Sequence, residues 1–125
     1  MPLSKFAIKV DTAAPTGSAT VTVFNSVTAF GANGMRHQNV RRISFGVNND
    51  QAATLNAAES IDGGATWRTF SATVLAAPAS NTINGPYDFI VDVYHEFRLQ
   101  WVNGGVTQGV YEPMLFGFEV REPGT

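Results

Sequence analysis

The sequence predicts an all-β protein, a single-domain antiparallel β-sandwich with a jelly-roll as the candidate form. Three observations carry this. About eight short segments alternate apolar and polar residues with the period of two that a half-buried strand requires. Turn-forming clusters separate them: Gly31-Ala32-Asn33-Gly34, Asn48-Asn49-Asp50-Gln51, Asp62-Gly63-Gly64 and Asn103-Gly104-Gly105. No segment holds a helical period. One layer of sheet could not bury 9 Phe and 2 Trp, so two sheets must face each other.

The elements follow in order. Residues 5–10 form a short first strand with Phe6, Ile8 and Val10 on one face. Residues 19–24 alternate and are rich in β-branched side chains, and residues 27–30 extend that strand past a kink at Asn25-Ser26. Residues 31–42 read as a Gly-flanked loop. Residues 42–47 are a strand facing inward through Ile43, Phe45 and Val47. Residues 53–61 and 66–75 flank a hairpin turn, and residues 76–86 are a loop. Residues 87–101 keep one apolar phase for too long to be one strand, so a break is expected near Tyr94-His95-Glu96. Residues 106–111 are a strand interrupted at Gly109, and Pro113 suggests an edge or a bulge. Residues 114–121 close the fold with Met114, Phe116, Phe118 and Val120 in one phase. The 125 residues suit one domain spanning 1–125, with a short N-terminal arm (1–5) and a frayed C-terminus (122–125).

Composition excludes several classes of function. A net charge of −2 gives no global electrostatic case for nucleic acid or an acidic membrane. With no cysteine there are neither disulfides nor thiolate metal sites. Charged residues are only 14% of the chain, so its polar surface is built from Thr, Asn, Ser, Gln and Gly, as suits a surface covered by partners. The N-terminus lacks the basic and apolar regions of a secretion signal, and no apolar run approaches a membrane span. A soluble, complete, unprocessed chain is expected.

Candidate chemistry is sparse. Asp88, Asp92, His95 and Glu96 could supply metal ligands, but in a strand the three acids share a face that His95 leaves, so they are expected to solubilise an outer face. Asn48-Asn49-Asp50 reads as turn chemistry rather than a Ca²⁺ site. Two His, no Cys and no nucleophile elbow leave no nucleophile–base pair, so no enzyme activity, cofactor or metal is expected. Trp67, Trp101, Tyr87, Tyr94 and Tyr111 could form a sugar-stacking platform, though Trp101 and Tyr111 fall at core and rim positions. Arg36, His37, Arg41 and Arg42 form the one basic cluster and are the leading residues for docking on a protein partner, with arginine's planar fork suited to polar contacts. The arm from Pro2 to Phe6 is a second docking candidate.

The best-specified stretch is Ser60-Ile61-Asp62-Gly63-Gly64-Ala65-Thr66-Trp67. Ser60, Asp62, Gly64, Thr66 and Trp67 match the S-x-D-x-G-x-T-W pattern, so this stretch resembles the Asp-box hairpin of sialidases and other β-rich proteins. A sialidase propeller repeats the box over several blades. One box in a chain this short points to a structural turn.

Taken with the hairpin around Thr54-Leu55, Asp62-Gly63-Gly64 and Trp67, the run Phe97-Arg98-Leu99-Gln100-Trp101-Val102-Asn103-Gly104 resembles hairpins of small virion proteins of tailed bacteriophages, of the capsid decoration or cement type. The resemblance implies a structural virion protein, assembled in the host cytoplasm, that acts as a dimer or trimer. It would bind the major capsid protein or other virion subunits through protein contacts, with no role for nucleic acid or membrane. A carbohydrate-binding β-sandwich module and a phage tail or receptor-binding accessory protein are the competing readings.

Overall fold

The structure is a computed structural model that describes residues 3–77, 82–92 and 95–120. It contains strands β1 (Leu3–Ile8), β2 (Thr20–Asn25), β3 (Val40–Asn49), β4 (Ala53–Ser60), β5 (Arg68–Leu75), β6 (Asn84–Ile90), β7 (Glu96–Asn103) and β8 (Tyr111–Val120). Two single-turn helices, α1 (Ser26–Phe30) and α2 (Gly34–Gln38), join β2 to β3.

The strands form two four-stranded sheets, ordered β1-β8-β3-β6 and β2-β7-β4-β5. Every pairing is antiparallel. Among them, β4 pairs with β5, β6 with β3, β7 with β2 and β8 with β1. These pairs are nested, as if one long hairpin with the β4–β5 turn at its tip had been rolled into two layers. That is the jelly-roll form of the β-sandwich, and the Asp62-Gly63-Gly64 turn is its apex.

The core lies between the layers. Ile43, Phe45, Val47, Phe89 and Leu115 enter from one sheet, and Leu55, Ala57, Phe97, Leu99 and Trp101 from the other. The Phe45 and Trp101 rings meet across the layers at 6.4 Å, and Trp101 meets Tyr111 edge-on at 5.1 Å. Each such side chain contributes roughly 1.5–3 kcal/mol on leaving water.

Several expectations need correction. From Leu3 onward the expected arm is an edge strand on β8, and Phe6 turns inward over Gly117. Pro2 lies outside the described residues. Residues 27–30 are helix rather than strand, because the Asn25 side chain accepts from the Val27 N–H at 3.0 Å and caps α1. Residues 34–38 are helix rather than loop, bounded by Asn33 and Asn39 at φ 60° and 52°. Residues 106–110 are a loop, not a strand. Pro113 sits inside a central strand, but beyond residues 115–120, where β1 pairs with β8, so β3 is its sole neighbour there.

In β8 the inward residues are Tyr111, Pro113, Leu115 and Gly117, while Met114, Phe116 and Phe118, expected in one phase, share the outward face. The expected break in residues 87–101 is present: β6 and β7 are separate strands in different sheets.

Candidate functional site

The Asp-box hairpin is satisfied by its own atoms. Ser60 Oγ donates to Asp62 Oδ1 at 2.6 Å and accepts from the Gly64 N–H at 2.9 Å, while Asp62 Oδ1 also accepts from the Thr66 N–H at 2.9 Å. The Ser60 hydroxyl, followed by the Thr66 amide, lowers the Asp62 carboxyl to about 2. Gly63 and Gly64 take φ 75° and 98°, which side chains rarely adopt. Trp67 folds back so that the Arg98 guanidinium lies 4.8 Å from its ring centroid. These hydrogen bonds all lie within the turn and close it.

The expected basic docking cluster is divided between α2 and β3. Arg36 and His37 are exposed in the last turn of α2. Arg41 lies where the β3–β8 register shifts, and its carbonyl accepts from Val91. Arg42 turns to the outer face of β3, 4.0 Å over the Phe118 ring, with Nε buried and without a hydrogen-bond partner. Phe6 is half-buried and packs against the core, its ring 6.4 Å from Phe30.

Of the acidic candidates, Asp92, His95 and Glu96 border one small cleft with Glu59, while Asp88 lies apart. Asp88 is exposed opposite Ser44 on the outer face. His95 Nδ1 meets Glu59 Oε2 at 3.0 Å, and this contact raises the imidazole above its ordinary value. Glu96, expected on a solvated face, is buried because it caps the helical connection. It accepts from Ser26 Oγ and from the Asn33 N–H at 2.8 Å. Among the described residues no three His, Asp or Glu converge on a metal position. Asp50 Oδ1 accepts from the Gly109 and Val110 N–H groups at 2.8 and 3.0 Å, which commits it to fixing the loop.

The aromatic candidates are divided between core and surface. Trp101 is fully buried and donates to Asn103 Oδ1 at 3.0 Å. Burial pushes the Tyr111 phenol up to about 12. Tyr87 and Trp67 are half-buried, and Tyr94 lies outside the described residues.

The face that stands out is the outer surface of β1-β8-β3-β6. Phe118 lies between Lys5 and Arg42 in register, Phe116 between Ala7 and Ser44, and Met114 beside Gly46. Lys5 Nζ sits 4.1 Å over the Phe116 ring. Ile90, opposite Arg42, is 85% exposed, while Met114 and Ile83 are 43% and 47% exposed and both border Gly46. A groove of about 450 Å³ continues the face past Met114 to Asn48 and Glu112, and Asn48 Nδ2 donates to Glu112 Oε1 at 2.8 Å.

The jelly-roll recurs in the crystal structure of PBSX exported protein XepA, which superimposes on 98% of this chain with a TM-score of 0.67 at 15% identity. The chain spans 39% of the length of that protein, and at this identity the likeness is one of fold. Neither a family model nor a curated protein matches the sequence.

Proposed function

We propose that this chain is a phage structural protein, without catalytic activity, that binds another protein through the outer face of β1-β8-β3-β6. The observation that carries the reading is the apolar sheet face itself. Phe116 and Phe118 lie beneath Lys5 and Arg42, flanked by exposed Ile83, Ile90 and Met114. Contiguous exposed apolar surface on this scale marks an interaction site. The phage setting rests on the fold shared with a PBSX protein and on the virion-protein resemblance. Capsid decoration is the particular role proposed, with a virion subunit as the partner.

Co-sedimentation of purified protein with heads of the phage that encodes it tests this. Wild type is expected to pellet with heads, and a Phe116→Ser/Phe118→Ser variant with an unchanged circular dichroism spectrum is expected to stay in solution. Equal retention of the two proteins, or no retention of wild type, overturns the reading.

A second reading has an observation of its own. The outer face of β2-β7-β4-β5 presents Thr22, Gln100 and Asn56 in one uncharged polar row, with Thr54 and exposed Val74 in the next, a polar and apolar mix suited to a neutral glycan. Glycan-array binding abolished by Gln100→Ala would favour a carbohydrate-binding module.

A further inference from the structure

Resting on the reading of this face as a docking surface, we propose that in the protein free of phage heads it joins two copies of this chain, packed sheet on sheet about a two-fold axis with their β8 strands running in opposite directions.

The two ends of the face differ in charge. At one end Lys5 and Arg42 lie over phenylalanine rings, and Arg42 Nε has no hydrogen-bond partner. At the other end Glu112 accepts from the neutral Asn48 amide. Between them β8 presents Met114, Phe116 and Phe118, with two residues per step along one face.

A two-fold axis lying in the interface across β8 near Leu115 reverses this order in the second copy. The Phe118 row, with Lys5 and Arg42, then meets the partner's Glu112 and Asn48, and Phe116 meets the partner's Met114. An isologous contact of this kind forms each pairing twice, so Arg42 of each copy comes opposite the Asn48–Glu112 pair of the other, while exposed Asp88 on the edge strand β6 stays at the rim. An axis along the strands would instead place cation against cation.

The size also fits. Four strands span about 19 Å and β8 about 33 Å, a face of roughly 600 Å². That approaches the roughly 800 Å² per partner of a standard interface, and sheets pack face to face in this aligned manner within ordinary sandwiches.

Sedimentation velocity over a concentration series tests the proposal. Wild type is expected to be dimeric at micromolar concentration and Phe116→Ser monomeric. Arg42→Glu and Glu112→Arg, each alone, are expected to weaken association by about tenfold or more. The double variant Arg42→Glu/Glu112→Arg is expected to regain most of the wild-type affinity, because the exchanged charges meet again across the two-fold axis. If Arg42→Glu does not fold, Glu112→Arg paired with Lys5→Glu carries the same exchange.

A wild type that is monomeric throughout overturns the dimer, as does a double variant no better than its singles. If monomeric wild type still pellets with heads through Phe116 and Phe118, the docking reading survives and only the second copy is excluded. Loss of both association and head binding removes both.

Discussion

Inside the sandwich the Ser26 hydroxyl donates to Glu96 Oε2 at 2.5 Å and accepts from the Phe97 N–H at 2.9 Å. The other Glu96 oxygen accepts from the Asn33 N–H. One carboxylate at the start of β7 thus holds α1 and the entry to α2. A buried donor left without its acceptor costs about 1–3 kcal/mol. Glu96→Ala strands two donors and is expected to lower stability by about 3 kcal/mol in urea melts. Glu96→Gln keeps one carbonyl acceptor and is expected to lose less. Equal losses would show that packing, rather than acceptor capacity, sets the value of this position.

The hairpin at the apex of the roll is expected to be acid-sensitive in a defined window. The folded Asp62 carboxyl lies at about 2, below its reference value of 3.8. Its contribution is therefore fully present above pH 3.8 and lost as pH falls through about 2. Asp62→Ala should lower the melting temperature at pH 7 and make little difference at pH 1.5. An equal difference at both pH values would mean that the carboxylate charge does not hold the turn.

His95 works in the opposite sense. Its folded value is raised by Glu59, so the pair stabilises the protein fully below pH 6.5 and the contribution fades as pH rises through the raised folded value. Asp92 adds a smaller push in the same direction, and desolvation opposes it. Glu59→Gln is expected to lower the melting temperature at pH 5.5 more than at pH 8.5, and NMR titration of the His95 ring should show its pKa falling in that variant.

Phe6 and Gly117 are coupled across β1 and β8. A Cβ on Gly117 would overlap the Phe6 ring. Gly117→Ala is expected to cost about 1–3 kcal/mol by overpacking and to speed amide exchange along β1, which has β8 as its one partner strand. In a Phe6→Ala background the same change is expected to cost far less. Additive losses in that double-mutant cycle would sink the coupling.

A docking prediction follows from the same sheet seen from outside. Met114→Gln exchanges an exposed apolar end for a polar one without touching the core, since that side chain is 43% exposed. It should leave stability within about 0.5 kcal/mol while weakening co-sedimentation with phage heads. Unchanged head binding would place the contact elsewhere on the molecule.

The sequence by itself determined the class of fold and most strand positions. Alternation across β3 and β4 has one apolar phase, so it reports both the strand and its buried side, whereas in β5 the apolar phase of Phe70 and Val74 faces solvent. The Asp62-Gly63-Gly64 turn was equally legible, because its chemistry is local: Ser60, Asp62 and Thr66 need nothing beyond the hairpin.

Two things were decided only by tertiary structure. Short helices α1 and α2 replaced an expected strand and loop because, beyond the local Asn25 cap of α1, a buried glutamate 63 residues from Asn33 supplies acceptors there, and no local pattern announces such a distant partner. The facing of β8 was settled the same way. Tyr111, Pro113, Leu115 and Gly117 in one phase and Met114, Phe116 and Phe118 in the other are both apolar, so a period of two cannot choose between them. The choice falls to which phase fits the space left by the other sheet, and Phe6 fills the gap over Gly117. The phenylalanines are thereby turned outward beneath Lys5 and Arg42, and the face proposed for docking is the result.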